Sequence, residues 1–354
     1  MLLAILSDLH LTNSLPYTVS GDLSRKDKLK KYLAHFFSYV HKNQIDYLVL
    51  PGDICHSAFL NSDDLDLLLY LINHIIRSGI PTIFISGNHD LDGNTSILSF
   101  LSGQVLNSNI HYNSKIFKSF QFDNITFDTI NYCSHEKFLK NAFLAAGQKK
   151  KTMFSILVGH VGVKGTLHGS TKSIIGVKKE DIERLSEHYD LIILGHHHKF
   201  QWITDNCFYA GSIHQTRMDE VDTIPGGLII TLPTLKAHRI ENTFSPRFTL
   251  IDNYKIDPEE ISGSIVKPIV DTEKVSEEDN LKFLKDVLKC NPYYLVQPRL
   301  KRTFLIEEKK ANYSSVNKRK ALLSTMRDFK LEEKRRKKFY EHTLDIYEKV
   351  KGGK

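Results

Sequence analysis

Leu191-Ile192-Ile193-Leu194-Gly195-His196-His197-His198 runs from four large apolar side chains through a glycine into three histidines. An apolar run with no polar alternation reads as a strand buried on both faces, as in a parallel sheet covered by helices. The same grammar recurs upstream. Leu2–Leu6 leads into Asp8-Leu9-His10, and Tyr47–Leu50 into Gly52-Asp53-Ile54-Cys55-His56. Thr82–Ile85 leads into Gly87-Asn88-His89-Asp90, and Phe154–Val158 into Gly159-His160. Helical stretches are expected at Arg25–His41, Asp63–Arg77 and Lys179–His188, the second with Leu65, Leu68, Leu69, Ile72 and Ile75 on its apolar side. This alternation predicts an α/β domain. Residues 110–130 read as a β-meander, and Tyr209, Gly227–Ile230 and Ala237–Ile240 as closing strands.

Loops at the carboxyl ends of parallel strands gather on one edge of a sheet, where ligands bind. Each polar cluster alone has a plainer reading. Gly-Asp and Asp-x-His are ordinary turns, and neighbouring histidines can form a solvated loop. Five such clusters, each at or near a strand end, instead describe one polar crater. Asp oxygens and neutral imidazole nitrogens suit Mn²⁺, Fe²⁺ or Zn²⁺. A glycine opens four of the five clusters, where the backbone can turn sharply and approach its neighbours closely. His168 and His214 lie near these motifs and read as surface histidines, and His197 as a spacer.

The composition of the 354 residues, 41% hydrophobic and 25% charged, permits a sizeable core. Four cysteines lie far apart with no CxxC pair, which argues against a disulfide framework or a zinc knuckle. Met1–Leu6 is too short for a secretory signal, and no run approaches the roughly 18 apolar residues of a membrane span. A cytoplasmic location and no membrane partner are therefore expected. The net charge of +7 is unevenly distributed: Lys and Arg outnumber Asp and Glu by 18 to 8 over Arg299–Lys354, and are outnumbered 30 to 33 before it.

The ordered set D-x-H, G-D-x-x-H, G-N-H-D, G-H and G-H-x-H resembles the calcineurin-like metallophosphoesterases over residues 2–240. Within them it is most similar to the SbcD-type, or meiotic-recombination-type, nucleases. His56 stands at the nuclease spacing from Asp53, and Tyr209-Ala210-Gly211-Ser212 with Gln215 and Glu220 resembles that family's Y-x-G-S…Q…E segment. The resemblance implies a double β-sandwich flanked by helices and a centre of two divalent ions, Mn²⁺ foremost. It implies that Asp8, His10 and His198 hold one ion, that Asn88, His160 and His196 hold the other, and that Asp53 bridges them. It also implies His89 as a proton or hydrogen-bond donor to the transition state and His56 as a positioner of His89 or of the phosphate. Asp90 is expected beside an imidazole. The implied activity is a DNA exonuclease or endonuclease acting with an SMC-like, SbcC-type ATPase in end processing, recombination or repair. A phosphatase or phosphodiesterase for small molecules or phosphoproteins is the alternative, and a non-catalytic scaffold recruiting the ATPase a third reading.

The domain division expected is 1–242 for the phosphoesterase, 243–298 for a small cap and 299–354 for a basic helical tail. The cap is short for the family and matches no motif. In the tail, Leu322, Met326 and Phe329 recur at helical spacing, as do Phe339, Ile346 and Val350. These stripes favour docking to the ATPase over packing on the body. Arg335, Arg336, Lys337 and Lys338 read either as a solvated helix face or as DNA phosphate contacts. A second copy of the chain is a further candidate partner.

Overall fold

Alternation along each apolar run decides which core its side chains enter. In a computed structural model describing residues 1–17, 24–102, 109–146, 152–168, 171–172, 176–252, 254–271 and 274–301, the first half runs β1 (Leu2–Ile5), α1 (Ser24–Lys42), β2 (Tyr47–Pro51), α2 (Ser62–Ser78), β3 (Thr82–Ile85), β4 (Ile110–Tyr112), β5 (Phe117–Gln121) and β6 (Ile125–Ile130). There follow α3 (Glu136–Ala146), β7 (Phe154–His160), α4 (Lys179–Ser186), β8 (Leu191–Gly195), β9 (Gln201–Thr204), β10 (Cys207–Tyr209), β11 (Gly226–Thr231) and β12 (Lys236–Glu241).

Two six-stranded mixed sheets result, ordered β12-β11-β1-β2-β3-β4 and β9-β10-β8-β7-β6-β5. In the first, β1 to β4 are parallel and β11 returns antiparallel beside β1. In the second, β6, β7, β8 and β10 are parallel, with β5 and β9 antiparallel at the edges. Leu3, Ile5, Val49, Ile83 and Ile85 of one sheet pack against Ile125, Phe127, Ile156, Val158 and Ile193 of the other. The intervening residues face outward: Ala4, Leu48 and Leu50 under α1 and α2, and Leu157, Ile192 and Leu194 with residues of α3 and α4. The expected double sandwich flanked by helices is the architecture observed.

Two local readings are corrected. Residues 110–130 are not one meander: β4 closes the first sheet, and β5 and β6 form a hairpin in the second. Asn113 and Asn131 sit at this crossing, where Asn131 Nδ2 donates to the carbonyls of Asn113 (2.8 Å) and Lys115 (2.7 Å). In α2, Leu65 and Leu69 are 46% and 48% exposed, while Leu67, Leu68, Leu71, Ile72 and Ile75 face the core. Leucines surround this helix, so spacing alone did not select the buried stripe. Asn61 caps its start by accepting the N–H groups of Asp63 and Asp64, and Gly79 ends it at φ 66°. Two lysines of α1 pair with carboxylates of α2, Lys26 with Asp63 (2.7 Å) and Lys30 with Asp66 (2.6 Å).

After β12 the chain builds a small parallel sheet from β13 (Phe248–Ile251), α5 (Pro258–Ile261), β14 (Ile265–Asp271), α6 (Glu277–Lys289), β15 (Tyr294–Leu295) and β16 (Arg299–Lys301). It has its own core of Ile251, Val266, Val270, Phe283, Leu284 and Val287. Gln215 links it to the sandwich, its Oε1 accepting the Phe248 N–H at 2.6 Å. The described residues belong to one compact unit, Met1–Arg302. The expected tail helices and Arg335, Arg336, Lys337 and Lys338 lie outside the described residues. Among the described residues, no helix is long and apolar enough to cross a membrane.

Candidate active site

All five polar clusters leave strand ends in the two sheets, and the sandwich brings them to one edge. Close approach there depends on glycine. Gly52 has φ 89°, and a Cβ on it would collide with His160 Nδ1; a Cβ on Gly87 would fall on Asp53 Oδ1. Asp8, His10, Asp53 and His196 hold positive φ of 47°, 40°, 48° and 104°, conformations that non-glycine residues keep only when their surroundings enforce them.

The side chains converge closely. His10 Nε2 lies 3.0 Å from His198 Nε2, and Asp53 Oδ2 lies 3.6 Å from His10 Nε2 and 3.4 Å from His160 Nε2. Asn88 Oδ1 is 3.2 Å from His160 Nε2 and 3.0 Å from His196 Nδ1. Asp8 Oδ1 accepts the His196 N–H at 2.9 Å and lies 3.9 Å from His198 Nε2. Two buried groups that could hold a cation follow, Asp8/His10/His198 and Asp8/Asp53/His160, their donor atoms within 4.8 Å of one another. Asp8 thus reaches both groups, and Asp53 Oδ2 sits between His10 and His160. A third group, His10/His56/His89, adjoins them.

The donor set fits cations because its imidazoles are oriented from behind. His198 Nδ1–H donates to Glu220 Oε1 (2.7 Å) and His160 Nδ1–H to the Pro51 carbonyl (2.8 Å), so each turns Nε2 toward the crater. Burial opposes charge on His198 and His160, but Glu220 and Asp53 outweigh it and push both up to about 9. Burial drives His10 well below its ordinary value, although Asp53 opposes this. Two imidazole nitrogens that face each other at 3.0 Å, ringed by carboxylates, form the kind of place a bound cation occupies. Burial alone would raise Asp53, yet His160, His10 and His89 hold it below the usual carboxylate range. Asp8 is raised, chiefly by burial.

His89 N–H donates to Asp53 Oδ1 (2.8 Å), and its ring Nδ1–H to the His56 carbonyl (2.8 Å). The His56 and His89 rings stack, with centroids 5.5 Å apart and planes at 26°. Asp90 is corrected: in place of an imidazole, its carboxylate meets backbone, accepting the N–H groups of Cys55 (2.8 Å), Gly87 (2.8 Å) and Ile54 (3.3 Å). It clamps two strand-end loops together. His197 is packed, not merely a spacer: it stacks on Tyr209 at 4.5 Å and bonds Thr166 Oγ1 at 2.9 Å. The side chain of His168 lies outside the described residues. Sequence reasoning missed two neighbours. Glu220 backs His198, and its place in the Q…E segment was the available signal. Tyr132, 6.2 Å from both the His160 and His196 rings, had none beyond following a strand.

His214 is not at the surface; it is fully buried. Burial first and the Arg25 charge second push its pKa down to about 3. Its unfolded value is near 6.5, so the folded state binds fewer protons between these values. The stability it contributes is complete above pH 6.5 and is lost as pH falls toward 3. Urea unfolding at pH 7.5 and pH 5.0 should show a loss in the wild type that exceeds the loss in His214→Gln by about 2 kcal/mol. Equal losses would contradict a buried neutral imidazole.

What the two sheets deliver to this edge is the apparatus of a metallophosphoesterase, a hydrolase with a buried His/Asp metal site. Residues 1–200 match the calcineurin-like phosphoesterase family, over half of the chain, and the chain belongs to that family. It is 24% identical over 242 residues to the SbcD component of the nuclease SbcCD of Staphylococcus epidermidis, covering 61% of this chain and 63% of that protein. It is also 24% identical over 204 residues to a phosphoesterase of Invertebrate iridescent virus 3, covering 55% and 56% of the two chains. The match thus spans less than two thirds of either relative's length. Among solved structures, an archaeal phosphodiesterase aligns with 68% of this chain and 99% of its own at 16% identity and a TM-score of 0.36.

Proposed function

We propose that the chain is a metal-dependent DNA nuclease subunit that hydrolyses phosphodiester bonds and works with an SMC-like, SbcC-type ATPase in DNA end processing, recombination or repair. The carrying observation is the His56–His89 pair beside the donor clusters, with His89 Nδ1 fixed on the His56 carbonyl at 2.8 Å. That bond leaves His89 Nε2 as the ring atom that can face a phosphate. The similarity to a component of the SbcCD nuclease supports the same reading.

In this proposal Asp8, His10 and His198 would hold one divalent ion and Asn88, His160 and His196 the other, Asp53 would serve both, and Mn²⁺ is the preferred metal. When bound, the pair supplies Lewis acidity at the phosphoryl oxygens and lowers the pKa of a water. The chain's own groups do the rest. His89 donates a proton or hydrogen bond at the transition state. His56 fixes His89, Glu220 and the Pro51 carbonyl hold two imidazoles in their working tautomers, and Asp90 keeps the Gly52 and Gly87 loops in register.

The test is incubation of purified protein and Mn²⁺ with linear duplex DNA, hairpin DNA and a chromogenic phosphodiester. Cleavage of all three, with DNA cleavage stimulated by the ATPase and ATP, is expected. Cleavage of the chromogenic ester with both DNAs untouched would replace the nuclease by a small-molecule phosphoesterase. Removal of residues 303–354 in the same assay should leave chromogenic activity within about twofold, because β16 ends at Lys301 and every proposed ligand precedes Lys199. Association with the ATPase should disappear, and so should any phosphate contact by Arg335, Arg336, Lys337 and Lys338. A truncated chain that still bound the ATPase would remove the docking role of the tail.

A further inference from the structure

The loop carrying Asp8 and His10 is left-handed at both residues, at φ 47° and 40°, so something must hold it. The peptide unit between Leu9 and His10 is gripped at both ends. Its N–H donates to the Asp53 carbonyl at 3.0 Å, and its carbonyl accepts from His214 Nε2 at 2.8 Å. Leu9 and His214 are both fully buried, so this carbonyl has no recourse to solvent.

The other ring nitrogen, His214 Nδ1, lies 2.8 Å from Arg25 Nη2. A guanidinium only donates, so Nδ1 must accept. A neutral imidazole has one proton, which is thereby placed on Nε2, facing Leu9. Arg25 is 1% exposed, and among the described residues no carboxylate pairs with it; its Nε and Nη1 have no hydrogen-bond partner. A buried guanidinium without a counter-ion is unfavourable. What it does here is select one tautomer of the histidine behind the crater. Neither Arg25 nor His214 belongs to the donor clusters.

We infer that Arg25 and His214 are positioning residues: Arg25 fixes the proton of His214, and His214 fixes the Leu9–His10 peptide plane that aims Asp8 and His10. Rotation of that plane changes φ of His10 directly and ψ of Leu9 with it, so freeing its carbonyl releases the ligand loop. The inference rests on the assignment of Asp8 and His10 to a cation.

Calorimetric titration of the metal-free full-length protein with Mn²⁺ tests it. His214→Leu should weaken at least one of two Mn²⁺ binding events by about tenfold or more, the range seen when partners behind a ligand are lost. His214→Gln, which can still present an N–H to Leu9, should return the affinity to near the wild-type value. Arg25→Met should lie between, because the tautomer is no longer selected. Raised Mn²⁺ should restore chromogenic phosphodiester hydrolysis in His214→Leu, with KM for the ester unchanged. Both Mn²⁺ affinities within twofold of wild type in His214→Leu would overturn the relay. Should that variant fail to fold, wild-type affinity in Arg25→Met would overturn it equally. A wild type that binds no Mn²⁺ would instead remove the metal assignment, and the relay with it.

Discussion

Replacing Asp53 with alanine should lower phosphodiester hydrolysis by about 10³-fold or more, roughly 4 kcal/mol of barrier, and reduce bound Mn²⁺ from two ions per chain to fewer than one. The size of the effect follows from how much one carboxylate does. Its Oδ2 faces His10 at 3.6 Å and His160 at 3.4 Å, so both proposed ion sites share it. Its Oδ1 takes the backbone N–H of His89 at 2.8 Å, which holds the Gly87–Asp90 loop. Its own backbone is left-handed at φ 48°, and its carbonyl anchors His10 N–H at 3.0 Å. Alanine preserves the last contact and forfeits the other two. Elemental analysis of the purified variant measures the metal, and two ions still bound would exclude a bridging role.

His89→Ser should behave differently. Turnover should fall by about 10²–10⁴-fold, the range for a positioned acid–base group, while Mn²⁺ content stays at the wild-type level. His89 is attached to the site through its backbone N–H to Asp53 and its ring to the His56 carbonyl, and serine keeps the first of these. The loss should therefore appear in kcat at saturating Mn²⁺. A variant that loses metal along with activity would place His89 among the ligands, as the His10/His56/His89 grouping would allow.

Much of this was readable in the sequence because buried parallel strands impose a composition that few other elements share. Leu191–Leu194 has no polar residue, and Phe154–Val158 only Ser155, because helices cover one face and a second sheet the other. The polar clusters stood out because each interrupts such a run. What escaped was non-local. The buried face of α2 could not be chosen among its many leucines until the sheet beneath it was in place. The crossing between sheets at Asn113–Ile116 depends on Asn131, which spacing does not reveal. Asp90 was matched to an imidazole on resemblance, whereas three backbone amides from two loops meet at its carboxylate. His214 looked like a surface residue because its two partners, Arg25 and the Leu9 carbonyl, lie 189 and 205 residues away in the sequence. The small sheet after Asn242 pairs its strands only in parallel, so no hairpin signal announced it.

The two-metal centre is tested most directly by anomalous diffraction from crystals of the protein soaked in Mn²⁺. Two peaks about 3.5–4 Å apart are expected, one beside Asp8, His10 and His198, the other beside Asn88, His160 and His196, with Asp53 touching both. A single peak, or peaks away from Asp53, would contradict the account.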